Sequence, residues 1–343
     1  MAEEKKKVFR KNLVRVEGYL KENNLKIVHD SKGNEAISGS VIVALDSTKA
    51  HKVQVYVNRL KKDGTANKDY EGFASILPTN TISVAAYIQS NGEATAEAAY
   101  AQATKVWMTS ELEEFVTKND EGNDIGYITL KGKKAGIKSA TDKVPFTPQA
   151  RFDIDMYIKS IRREVKGDDE TGRLDLVGLI PHWSGTMQEV SFKVSGEKIK
   201  NPATGEELVI SDYIESNYSE GQTANFTGSI INLEVESQTA STGWGDAPVS
   251  NSTTFVRERV ITGGHGAGLD EDNPGAIHEE EVREGLINRA AKREENYKKS
   301  LERKSAADNG SAVGFDTGFT GFAPAPAAPA AAGEGFSFDE SDF

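Results

Sequence analysis

The sequence predicts an all-β body in two parts, followed by a charged helix and a disordered acidic tail. Three observations point there. Segments of period-two alternation recur through roughly the first 260 residues, clusters of Gly, Asn, Asp and Pro separate them, and no Lys or Arg occurs after Lys304. In Lys52-Val53-Gln54-Val55-Tyr56-Val57-Asn58 the valines fall on one face and Gln54, Tyr56 and Asn58 on the other. Phe152, Ile154, Met156 and Ile158 alternate with Asp153, Asp155, Tyr157 and Lys159, and Val190, Phe192 and Val194 with Glu189, Ser191 and Lys193. Successive side chains of a strand point to opposite faces, so each pattern reads as a half-buried strand. Lys62-Asp63-Gly64, Ser90-Asn91-Gly92, Asp120-Glu121-Gly122-Asn123 and Asn201-Pro202-Ala203-Thr204-Gly205 supply turns. This spacing suits small barrels or sandwiches better than a βαβ sheet.

Pro145 to Pro148 interrupts the pattern and a fresh strand begins at Phe152, which divides the body into domains at 1–145 and 150–262. The Ala-rich run from Glu93 to Ala103 reads as a short helix capping the first domain. Gly263-Gly264-His265-Gly266-Ala267-Gly268 reads as a hinge, and Asn273-Pro274 as an N-cap with Pro at the first helical position. The helix it opens, to about Ser305, has i,i+4 pairs Glu279/Arg283, Glu294/Lys298 and Glu295/Lys299. Val282, Leu286, Tyr297 and Leu301 make only a thin apolar stripe, so a mostly solvated helix is expected across 263–305. Residues 306–343 combine Gly-Phe repeats, a Pro-Ala tract and six acids counted from Asp308. That composition cannot bury enough apolar surface to offset chain entropy.

Composition narrows the function classes. No apolar run approaches the ~18 residues of a membrane-spanning helix, and Met-Ala-Glu-Glu-Lys-Lys-Lys lacks the apolar stretch of a secretory signal. With no cysteine there is no disulfide, thiolate metal site or cysteine nucleophile. A soluble, cytoplasmic protein is the expectation. The net charge of −12 is unevenly spread: residues 1–163 hold 26 Lys/Arg against 21 Asp/Glu, whereas the rest hold 15 against 32. A basic half joined to an acidic tail suggests a nucleic-acid partner.

The chemistry-bearing signals agree with binding rather than catalysis. Lys52, Gln54, Tyr56, Arg59, Lys61, Lys62, Tyr70 and Phe73 interleave cations, a polar amide and aromatics within two strands and a loop. Single-stranded nucleic acid binds such surfaces because cations follow phosphates while aromatic faces stack on unpaired bases; the alternative is an ordinary solvated sheet face. Trp183 in Pro-His-Trp-Ser-Gly and Trp244 in Thr-Gly-Trp-Gly-Asp sit in polar loops, where a large ring either binds something or folds back on the core. Residues 201–256 contain eight acids and no base, so a phosphate contact from the second domain would fall to Arg151, Lys159, Arg162, Arg163, Arg173, Lys193, Lys198 or Lys200. Asp270, Asp272, Gly275 and Glu281 match calcium-loop positions, but Pro274 occupies the fifth ligand place. The five histidines lack metal-ligand spacing, the glycine run lacks a phosphate-loop Gly-Lys-Ser/Thr ending, and no nucleophile elbow occurs. No cofactor and no enzymatic activity are expected.

Phe338-Asp339-Glu340-Ser341-Asp342-Phe343 resembles the acidic, Phe-terminated tip of single-stranded-DNA-binding proteins of bacteria and bacteriophages. It is closer to the phage form, since Asp342 stands where the bacterial tip carries proline and Ser341 interrupts the acidic run. The body is similar to that family's five-stranded OB-fold. Residues 37–43 and 51–57 look like its second and third strands, and 107–112 with 126–132 like its last hairpin. A second round spans 151–194 and closes from 221 to 230. The resemblance implies two tandem OB-fold-like barrels that coat single-stranded DNA in phage replication, recombination or repair. It also implies a tail (Phe338, Asp339, Glu340, Asp342, Phe343) that recruits replication or recombination proteins, with homo-oligomers left open. The competing expectation is a phage tail or baseplate β-barrel protein.

Overall fold

Alternation decides which strand faces are buried. The computed structural model describes residues 10–30, 33–92, 94–139, 141–200, 205–239 and 250–308. β1 (Asn12–Asn23) buries Val14, Val16 and Leu20. β2 (Lys26–His29) and β3 (Glu35–Ala44) lead to β4 (Ala50–Asn58), which turns Val53, Val55 and Val57 inward and Lys52, Gln54, Tyr56 and Asn58 outward. Three helices follow, α1 (Lys68–Ser75), α2 (Val84–Ser90) and α3 (Ala96–Gln102). Asn67, Ser83 and Thr95 start them by accepting a first-turn amide hydrogen on a side-chain oxygen. β5 (Lys105–Lys118) and β6 (Asp124–Ile137) form a hairpin ending the first half. The second half contains β7 (Gln149–Lys166), β8 (Asp169–Pro181), β9 (Met187–Val194), β10 (Lys198–Lys200), β11 (Glu207–Val209), α4 (Ile210–Asn217), β12 (Thr223–Thr239) and β13 (Ser250–Leu269). A long helix, α5 (Glu279–Asp308), follows. The described chain is mostly β.

Strand pairing repeats between the halves. β1 is antiparallel to β5 from Val14 to Tyr19 and to β3 from Tyr19 to Asn23. It changes partner beside Gly18, where a Cβ would lie 2.3 Å from the Ala44 carbonyl oxygen, so only glycine fits. With antiparallel β3–β4 and β5–β6 and a parallel β4–β6 contact, the pairings run β1, β3, β4, β6, β5 and return to β1. In the second half they run β7, β8, β9, β13, β12 and return to β7, again with one parallel contact, β9–β13. Antiparallel pairing of β1 with β7 joins the two circuits into one sheet of eleven strands. One contiguous buried cluster holds side chains of both halves, including Val14, Phe73 and Met108 with Phe152, Leu176 and Phe226.

Three expectations are corrected. The glycine run after Ile261 is not a hinge: β13 continues through it to Leu269. Gly264 allows close approach to β12, since a Cβ there would lie 2.6 Å from the Asn225 carbonyl oxygen. The helix begins at Glu279, five residues after Pro274. Asn273 instead closes a turn, its Oδ1 accepting from the Gly275 amide at 2.8 Å. Ala276 and Ile277 then run buried beneath the sheet, where the Ile277 amide donates to Thr223 Oγ1 at 2.6 Å. α5 is mostly exposed, as expected, but it is not a detached linker. Val282 and Leu286 pack with Leu179, Met187 and Ile277, and Arg289 reaches Glu114 in the first half. Trp244 and the tail residues Phe338, Asp339, Glu340, Asp342 and Phe343 lie outside the described residues.

Candidate nucleic-acid interface

The alternation of β4 places Lys52, Gln54 and Tyr56 on one outward face, with Tyr56 51% exposed. Arg59 follows the strand and pairs with Glu35 at 3.1 Å, while Lys61 and Lys62 are exposed on the following turn. Tyr70 and Phe73 do not join them. They occupy the inner face of α1, Phe73 has no exposed surface, and neither ring is free to stack on a base. The Tyr70 hydroxyl donates to the Glu35 carboxylate, and burial together with that carboxylate pushes its pKa up to about 12. Helical spacing explains the error: residues three apart share a face, and this face is the apolar one.

Trp183 lies far from β4 in sequence, on the turn between β8 and β9, and is 75% exposed. Its ring neither folds back on the core nor stands alone, because the His182 ring lies 5.1 Å away between centroids. A chain of contacts leads from it to the β4 face. His182 Nε2 is 3.9 Å from the Glu113 carboxylate on β5, Glu113 holds Lys131 of β6 at 2.9 Å, and Lys131 stands in register with Gln54. Tyr56, Gln54, Lys131 and Trp183 thus mark one band crossing both halves. Burial lowers the His182 pKa to about 4, with Lys292 adding to the effect, so the imidazole is neutral near pH 7.

Beside this band a cleft of about 180 Å³ opens between the halves. One wall is His51, Lys52 and Gln54 of β4 with Leu112 of β5 and Thr129 of β6; the other is the β12–β13 ribbon. Ile230 faces Arg259 and Asn232 faces Arg257 across that ribbon, and directly opposed residues of an antiparallel pair share a face. Asn232 ties the ribbon to the first half by donating to the Ala50 carbonyl at 2.8 Å, and the Glu234 amide donates to Thr48 at 3.0 Å. Glu258 points to the other face, where Arg173 holds it at 2.8 Å. Burial lowers the pKa of Arg259. It also lowers that of His51, to about 4. Sequence reasoning overlooked Arg257, Arg259, Asn232 and Lys131. The alternation of Arg257 and Arg259 was a legible signal, but their position opposite Lys52 depends on the ribbon reaching across. Among the described residues no cluster of three or more His, Asp or Glu could hold a metal, and no helix is long and apolar enough to cross a membrane.

No curated protein sequence matches the chain. Two solved structures resemble it at a TM-score of 0.37 and 8% identity: the wild-type single-stranded DNA binding protein from Thermus aquaticus and a deletion mutant of it. Each match covers 74% of this chain, with 91% of the wild-type chain and 92% of the mutant covered in turn. So loose a superposition establishes neither fold nor function here. The sequence profile of the YorF family spans residues 11–301, from the first strand to the body of α5, and the chain belongs to that family.

Proposed function

We propose that the protein binds single-stranded DNA across the band from Tyr56 to Trp183, and coats it during replication or recombination. Each half is read as an OB-type barrel, which the repeated five-strand pairing circuit with one parallel contact supports. The observation that carries the binding reading is the band itself. Two exposed rings, Tyr56 on β4 of the first half and Trp183 on the β8–β9 turn of the second, flank Gln54 and Lys131 of the first half. Exposed rings offer stacking to unpaired bases, and the neighbouring cations, Lys52, Arg59, Lys61 and Lys62, follow a phosphate backbone. The Phe-terminated acidic tail is assigned the recruitment of replication or recombination partners, with Phe343 as the apolar anchor. The tail's sequence, not its placement, supports that part.

Titration of the full chain with a fluorescent dT oligonucleotide, with unlabelled duplex as competitor, tests the reading. Affinity should fall steeply with salt, because each neutralised phosphate of a single strand releases about 0.7 counterion. Replacing Lys52, Tyr56, Arg59 and Lys62 together should weaken binding strongly, and Trp183→Ala should weaken it less. A flat salt response, or equal preference for duplex, would end the proposal and favour a structural, assembly-forming role.

A further inference from the structure

Arg257 and Arg259 carry positive charge into the cleft wall. Among the described residues no carboxylate pairs with either, and the nearest polar contact of Arg259 is the Ser191 carbonyl at 3.5 Å. Arg257 lies over the Phe255 ring, 5.6 Å from its centroid. Among the described residues the one acid in the cleft wall, Glu258, is held by Arg173 on the opposite face of the ribbon. A half-buried guanidinium without a counter-charge is costly, and an anion brought to it offsets that cost. His51 lines the same cleft and is 1% exposed, and its buried Nε2 has no hydrogen-bond partner among the described residues. Lys52 and Asn232 complete a wall of donors.

We propose that the cleft between the halves seats one phosphate of the bound strand, with Arg259 as the inner cation and Arg257 and Lys52 at the mouth. The proposal rests on the single-strand reading above and adds the path. The strand leaves the β4 face and lays one phosphate in the cleft beside the β12–β13 ribbon, so groups of both halves contact one strand at once. Size selects the ligand. At about 180 Å³ the cleft has the space of roughly six liquid waters, and it falls short of the ~300 Å³ at which pockets begin to enclose a drug-sized molecule. The cleft has room for a phosphodiester group, with the sugar and base of its nucleotide left outside. Arginine suits the task because its planar fork binds two phosphate oxygens together.

The test compares wild type, Arg259→Met and Arg257→Met in dT binding at several salt concentrations, with circular dichroism to confirm folding. Each variant should bind several-fold more weakly, and its slope of log affinity against log salt should be shallower by up to about 0.7, the most that one phosphate can contribute. An unchanged slope in both folded variants overturns the phosphate seat while leaving single-strand binding intact. Should Arg259→Met fail to fold, the exposed Arg257→Met decides by the same criterion. Should wild type bind no dT at all, the single-strand reading falls and inorganic pyrophosphate decides the cleft. A melting-temperature rise in wild type that Arg257→Met abolishes supports an anion seat, and no rise in wild type overturns it.

Discussion

The two halves share one order of strand pairing and differ in their final hairpins. In the first half β5 and β6 are joined by a tight turn, where Asn119 Oδ1 accepts the Glu121 and Asn123 amides. In the second half β12 and β13 run on as a ribbon long enough to bond residues 48–50 of the first half. The short hairpin leaves the edge by β5 to be covered by α5, through Arg289 on Glu114, Arg293 on Asp124 at 2.5 Å and Asn296 on the Val116 carbonyl at 2.8 Å. The difference teaches that one half supplies a surface and the other supplies what reaches over it. The β1–β7 pairing and the shared core make the two copies of one topology a single unit, and the longer ribbon adds a second tie between them.

The largest effect should come from breaking the helix's hold on the first half. Glu114, 5% exposed at its side chain, is paired with Arg289 at 2.6 Å. Arg289→Ala would leave that buried carboxylate with the Glu189 amide at 3.1 Å but no counter-charge, a loss approaching about 3 kcal/mol. Chemical denaturation should show it, and a change under about 1 kcal/mol would mean that the halves hold together without the helix.

Next in size is acid sensitivity, which the halves share. His51 and His182, one in each half, have folded pKa values lowered by burial to about 4. Above pH 6.5 both are neutral folded or unfolded, and neither contributes a pH dependence. Between pH 6.5 and 4 the unfolded chain takes up the protons and the folded chain does not, so stability falls with pH, by up to about 3 kcal/mol from each. Melting temperatures across this window should drop steeply for wild type, less for His51→Leu or His182→Leu, and least for the double variant. Equal slopes for all four proteins would remove buried histidine as the cause.

The smallest effect sharpens the contrast between hairpins. Asn232→Ala removes the 2.8 Å bond to the Ala50 carbonyl and should cost about 1 kcal/mol. Hydrogen exchange should quicken at the Glu234 amide, which bonds Thr48, and stay unchanged at the Asn123 amide in the short hairpin. Equal quickening at both sites would show that the ribbon is not an independent clasp.

Much of the strand content was legible because burial in a strand follows a strict period of two. Val53, Val55 and Val57 are buried as their alternation requires, and so are Phe152, Ile154, Met156 and Ile158. The same rule put Lys52, Gln54 and Tyr56 outside. It failed where local chemistry pointed one way and a distant partner decided. Gly263 to Gly268 has the composition of a hinge, yet pairing with β12 makes it strand. Asn273-Pro274 reads as a helix start, yet burial of Ala276 and Ile277 beneath the sheet delays the helix to Glu279. Tyr70 and Phe73 stand among lysines in sequence, but α1 turns them into the core.

The sequence by itself determined the β character of the body, the outward face of β4 and the charge contrast between basic half and acidic tail, because each follows from residue type at a fixed local period. Only the tertiary structure decided that β1 and β7 pair, that Trp183 reaches the β4 face through His182, Glu113 and Lys131, and that Arg257 and Arg259 stand opposite Lys52. The pairing of β1 with β7, the His182–Glu113 contact and the approach of the ribbon to Lys52 each join residues more than fifty positions apart. Their geometry depends on how far a ribbon extends and how two circuits dock, which no local period records.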